Sequence, residues 1–131
     1  MDNTTAIKAA LESLLVQADE ARAFAIIEHS DSGKFVQFAG SLSSPLLLDL
    51  PLQTLSEAEF YRAVVFFRRR GIAPAEYELL GEPLGKPVTE QVAFQFQMRS
   101  VETATEIAIA VFAEIYLLAN CQLLVNVDSG A

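Results

Sequence analysis

Residues 91–119 read QVAFQFQMRSVETATEIAIAVFAEIYLLA, and two periodicities follow one another in them almost without a linker. Val92, Phe94, Phe96 and Met98 alternate with Ala93, Gln95, Gln97 and Arg99, the period-two pattern of a strand with one buried and one wet face. After Ser100 the period lengthens: Ala104, Ile107, Ala108, Val111, Phe112, Ile115, Leu118 and Ala119 recur every three or four residues, as in an amphipathic helix. The remainder of the chain is read as strands and helices that complete this pair.

Working back from the strand, residues 81–87 hold Gly81, Pro83, Gly85 and Pro87 and predict a loop, with a further strand before it over 74–80. Upstream of that lies the clearest helix start in the sequence. Ser56 as N-cap and Glu59 form a capping box, Leu55 and Phe60 a hydrophobic staple, and Gly71 a stop, which predicts a helix over 57–70. Arg68, Arg69 and Arg70 then sit at the negative end of its dipole. Before it, residues 23–28 and 35–40 read as a hairpin around a turn at 31–33, and 45–50, closed by Pro51, as a third strand. These three strands predict an antiparallel meander. At the start, Asp2 or Asn3 can cap a helix whose stripe of Ile7, Ala10, Leu11, Leu14, Leu15 and Ala18 runs to about residue 20. At the other end Asn120 can stop the last helix, and 123–127 reads as a short strand or a strap. The expected fold is a single α+β domain over 1–131, helix, three strands, helix, two strands, helix, with an antiparallel sheet packed by helices.

The chain has 131 residues, 52% of them hydrophobic, and a net charge of −8. That length supports one core, burying roughly two thirds of the unfolded surface. The acidic balance argues against nucleic acid or an anionic membrane as partner, since phosphate binding needs clustered Lys and Arg. One cysteine, Cys121, excludes an intrachain disulfide. No apolar segment follows the polar opening residues, and the expectation is a cytoplasmic protein.

Chemistry is sparse. His29, the only histidine, stands near Asp31, but a turn histidine needs no catalytic explanation. Cys121 has no basic neighbour to lower its pKa and reads as a small packing residue. One His and one Cys do not make a metal site, no glycine-rich phosphate loop is present, and Arg68 to Arg70 are accounted for by the helix end. No catalytic, metal or cofactor-binding residue is assigned, and the expectation is a protein without enzymatic activity.

Two features exceed what a fold needs. On the helix over 57–70, Phe60, Ala63, Val64 and Phe67 can face the sheet, while Tyr61 and Val65 fall on one flank and Phe66 on the far side. Either the chain's own loops cover that second side, or another subunit does, which makes Tyr61, Val65 and Phe66 a candidate dimer interface. On the sheet, if Val36 and Phe38 point inward with Phe94 and Phe96, then Phe35, Gln37, Leu47, Gln95 and Gln97 share the outer face with Ala39 and Asp49. Apolar bodies mixed with neutral amides suit a peptide backbone, whose groups amides can pair without the desolvation cost of a charge. The plainer reading is an ordinary solvated face.

The order of elements resembles the type III secretion chaperone fold, and more particularly the YbjN-type chaperone-like domains of bacteria. The residues that carry the resemblance are Phe35-Val-Gln-Phe38, Leu46-Leu-Leu-Asp-Leu-Pro51, Leu55-Ser-Glu-Ala-Glu-Phe60 and Val92-Ala-Phe-Gln-Phe96. The resemblance implies a small acidic homodimer without enzymatic activity that holds an extended segment of an unidentified client polypeptide, the middle helix forming the dimer contact. A structural or regulatory assembly subunit and a small-ligand-binding protein are the alternatives.

Overall fold

The computed structural model describes residues 2–71 and 93–128. Along these runs helix α1 (Asn3–Leu14), strands β1 (Phe24–His29), β2 (Lys34–Ala39) and β3 (Leu46–Pro51), helix α2 (Glu57–Arg69), strand β4 (Ala93–Met98), helix α3 (Val101–Ala110) and strand β5 (Leu124–Asp128). The five strands form one antiparallel sheet in the order β4-β3-β2-β1-β5. The fold is α+β, and the meander of β1, β2 and β3 is present with β4 added beside β3. The tail is a strand: β5 pairs with β1, Ala25 opposite Val127 and Ile27 opposite Val125. The expected strand over 74–80, the loop over 81–87 and Val92 lie outside the described residues.

The alternation in the sequence sets the faces. Ala25, Ile27, Val36, Phe38, Leu46, Leu48, Leu50, Phe94, Phe96 and Met98 are buried on the inner face, and α1, α2 and α3 pack there. Helix α1 lies over β1 and β5, α3 packs beside α1 and on β3 and β4, and α2 meets β4 through Phe67. The ring of Phe67 anchors α2, 5.3 Å from that of Phe94 and 4.2 Å from that of Phe96. Each such fully buried side chain contributes about 1.5–3 kcal/mol relative to an exposed one.

The helix ends show what local signals achieve and where tertiary contacts override them. Ser56 and Glu59 form the expected capping box, and Gly71, at φ 71°, closes α2. Asp2 caps α1 by accepting from the Thr5 N–H at 2.7 Å. But α1 stops at Leu14 rather than near residue 20. Asp19 is held instead by the hydroxyls of Ser41 and Ser43, and the chain leaves through a short 3₁₀ turn (Asp19–Ala21) and Arg22 in the left-handed region. Side-chain capture of this kind competes with helix propagation. Helix α3 likewise ends before Ala119, passing into a π-turn (Val111–Ile115) and then Leu117 at φ 58°. There the Ile115 carbonyl accepts from the Arg62 Nε–H at 2.8 Å, and the Tyr116 hydroxyl donates to the Phe35 carbonyl at 2.5 Å. Groups that would have continued the helix are committed to α2 and β2.

One expectation is corrected. Phe66 does not lie on a free side of α2; it is 3% exposed and belongs to the core. The π-turn after α3 packs along that flank of α2. Glu114 on the turn holds Arg70 at 2.8 Å, and the Arg70 guanidinium covers the Phe66 ring at 3.8 Å, while Phe67 meets it edge-on. The chain's own turn therefore takes up part of the surplus apolar surface.

Candidate functional site

All three described helices use the inner face, and among the described residues the strand side chains of alternate parity form the outer face of the sheet. Register places Gln95, Asp49, Gln37, Ile26 and Asn126 in one row across the five strands, and Gln97, Leu47, Ala39, Phe24 and Asp128 in the next. Facing residues on adjacent strands stand roughly 4.5–5.5 Å apart. Amides and carboxylates thus line one row and mostly apolar groups the other.

These rows floor a depression of about 730 Å³. Its walls include Asp19, Arg22, Phe24, Gly40, Ser41, Ser44 and Pro45 beside Gln37, Ala39, Leu47, Asp49, Gln95 and Gln97. The rim is pinned. Asp19 accepts from the Ser41 hydroxyl at 2.6 Å, the Ser43 N–H at 3.2 Å and the Ser43 hydroxyl, and the Leu42 N–H donates to the Gln17 carbonyl at 2.9 Å. The hydrogen bonds from Ser41 and Ser43 hold the Asp19 carboxyl below the usual carboxylate range. On the floor, Gln37 donates from Nε2 to Asp49 Oδ2 at 2.7 Å. Asp49 Oδ1 is buried and has no hydrogen-bond partner, although Gln95 stands directly opposite Asp49 in the register.

Of the residues expected to bind a peptide, Gln37, Leu47, Gln95 and Gln97 come together in this depression. Phe35 shares the face but is not part of its lining; it is half-buried and its carbonyl serves Tyr116. Asp49 was legible as an outward residue, since its parity in Leu46-Leu-Leu-Asp-Leu-Pro51 opposes the buried leucines. Asp19 and Arg22 were not legible as site residues, because their position depends on the early end of α1. Tyr61, 72% exposed, and Val65, 41% exposed, present an apolar edge of α2 without Phe66.

Elsewhere the groups with chemistry have structural partners. His29 Nδ1 pairs with the Ser32 hydroxyl at 2.7 Å, inside its own turn, and not with Asp31. The carbonyl of Cys121 accepts from Asn3 Nδ2 at 2.7 Å, and Asn3 Oδ1 accepts from the Leu123 N–H at 3.1 Å. Lys34 Nζ donates to Glu59 Oε1 at 2.8 Å. Burial opposes ionisation of Glu59, but the bonds from Lys34 and Ser56 outweigh it and lower its pKa. The Tyr116 phenol is raised well above its usual range, first by burial and then by the charge of Glu59. Among the described residues no three His, Cys, Asp or Glu side chains are grouped to hold a metal ion, and no helix is long and apolar enough to cross a membrane.

Comparison of the chain with protein-family models, with curated proteins and with solved structures returned no match.

Proposed function

We propose that this protein is a non-enzymatic, chaperone-like binding protein of the bacterial cytoplasm, related to the YbjN-type domains, that works as a homodimer and holds an extended segment of a partner polypeptide on the outer face of its sheet. The observation that supports this reading is the convergence of Gln37, Leu47, Gln95 and Gln97 on one depression, where Gln95, Asp49 and Gln37 stand in one row and Gln97, Leu47 and Ala39 in the next. An extended segment offers backbone N–H and C=O groups on both sides and alternating side chains, and these two rows match that chemistry. Tyr61 and Val65 supply the dimer contact in this reading. Two copies then present two such faces, so that a client held at both gains avidity over either site alone.

A second reading draws on size. A depression of about 730 Å³ falls within the roughly 300–1,000 Å³ of small-molecule clefts, and a small ligand could fill it.

The test is binding of a library of fluorescent extended peptides, followed by anisotropy, to the wild-type protein and to Leu47→Lys. A partly exposed strand position tolerates the charge, and the variant should keep its fold while losing at least about tenfold in affinity, the equivalent of ~1.4 kcal/mol. Equal binding to both proteins would place the peptide elsewhere. Absence of binding across the library would favour the small-ligand reading.

A further inference from the structure

Among the described residues, the depression contains one buried side-chain oxygen without a hydrogen-bond partner. Asp49 Oδ2 is satisfied by Gln37, but Oδ1 is removed from solvent and accepts no hydrogen bond, with Gln95 across the strand pair making none to it. A carboxylate oxygen deprived of water and given no donor is the costliest kind of unpaired polar group, and native structures rarely keep one without a use. Resting on the reading that the outer face holds an extended segment, we propose that the segment carries a lysine or arginine side chain flanked by apolar residues, and that Asp49 is the residue that receives it.

Further observations fit a cationic occupant. Among the described residues the lining carries two carboxylates, Asp19 and Asp49, and one guanidinium, Arg22. Asp19 is already committed to Ser41 and Ser43, which leaves Asp49 as the carboxylate with an open acceptor. Arg22 precedes β1, while Asp49 lies on β3, two strands away. The net charge of −8 adds a field that draws basic segments toward the protein. Leu47, Ala39 and Phe24, in the row beside Asp49, offer apolar contact to the stem of a Lys or Arg side chain and to its neighbours. A cation brought to Asp49 needs Oδ1 to be uncovered by a small side-chain movement, and the exposed Gln95 is the neighbour placed to give way.

The experiment uses the full chain and three short peptides of the same alternating apolar and amide sequence, differing only at the centre: lysine, norleucine or glutamate. Anisotropy is read for wild-type protein and for Asp49→Asn, which keeps the size of the side chain and an oxygen for Gln37. Wild type should bind the lysine peptide about tenfold or more tighter than the norleucine peptide and weaker still with glutamate. In Asp49→Asn the lysine and norleucine peptides should bind alike. Equal binding of all three peptides to wild type would overturn the basic-residue proposal while leaving the peptide-binding face intact. A lysine preference unchanged in Asp49→Asn would overturn the role of Asp49. Binding of lysine amide as tight as that of the lysine peptide would replace the polypeptide by a small amine. If no peptide binds wild type, the proposal and the reading beneath it fall together. Should Asp49→Asn fail to fold, the three-peptide series on wild type still decides whether a cation is read.

Discussion

Single residues divide into those that hold the fold and those that it leaves available, and Glu59 is the clearest of the first kind. It completes the capping box of α2 and receives Lys34 from β2, so that one buried carboxylate joins a helix start to the sheet. Its folded-state pKa lies below the unfolded value near 4.5, so the stability it contributes is complete above that value and is lost as pH falls through the lower folded one. Glu59→Gln keeps a capping amide and removes the charge. Urea denaturation should show a loss of about 1–2 kcal/mol at pH 7, shrinking toward zero as pH falls below 4.5 and through the lower folded-state value. A difference constant across that range would show that packing, rather than the ion pair with Lys34, carries the effect. Asp49 is of the second kind. Its outward parity was readable from the leucines around it, but its unpaired oxygen was not, since that depends on the rotamers of Gln37 and Gln95.

Elements were legible where the signal is local and obscure where a distant partner decides. The capping box, Gly71, the hairpin turn with Gly33 at φ 74° and the alternation of Phe94, Phe96 and Met98 are written within a few residues, and each is found as read. The ends of α1 and α3 are not, because Ser41 and Ser43 reach back to Asp19, and Arg62 and Tyr116 take part in contacts more than 50 residues apart in sequence. Phe66 was misplaced for the same reason: helical geometry gives its direction, and only the turn at Val111–Ile115 shows that the direction is covered. Strand β5 depends on a contact of this long-range type. Asn3 holds both the Cys121 carbonyl and the Leu123 N–H, so the first turn of α1 clamps the chain just before β5. Asn3→Ala should cost about 1–2 kcal/mol and speed amide exchange along Leu124–Asp128 more than along β2 and β3. Uniform acceleration over the whole sheet would mean that the clamp supports global stability and not the edge strand.

At the scale of the molecule, the described helices lie on one face of the sheet; the proposed reading gives the opposite face to a client and the exposed edge of α2 to a second copy. Burial of Phe66 narrows the proposed dimer contact to Tyr61 and Val65, one turn apart on α2. Wild type should be a dimer by light scattering and Tyr61→Glu with Val65→Glu a folded monomer with an unchanged circular dichroism spectrum; a monomeric wild type, or a double variant of dimer mass, would remove this edge as an interface. The outer face carries the larger claim, that it receives an extended polypeptide. The most direct test is a titration of isotopically labelled protein with the tightest-binding peptide, following backbone and side-chain amides by two-dimensional NMR. The side-chain amides of Gln37, Gln95 and Gln97 and the backbone around Leu47 and Asp49 should shift first and furthest. Shifts confined to α2 or to the helical layer, with the outer face unmoved, would contradict that claim.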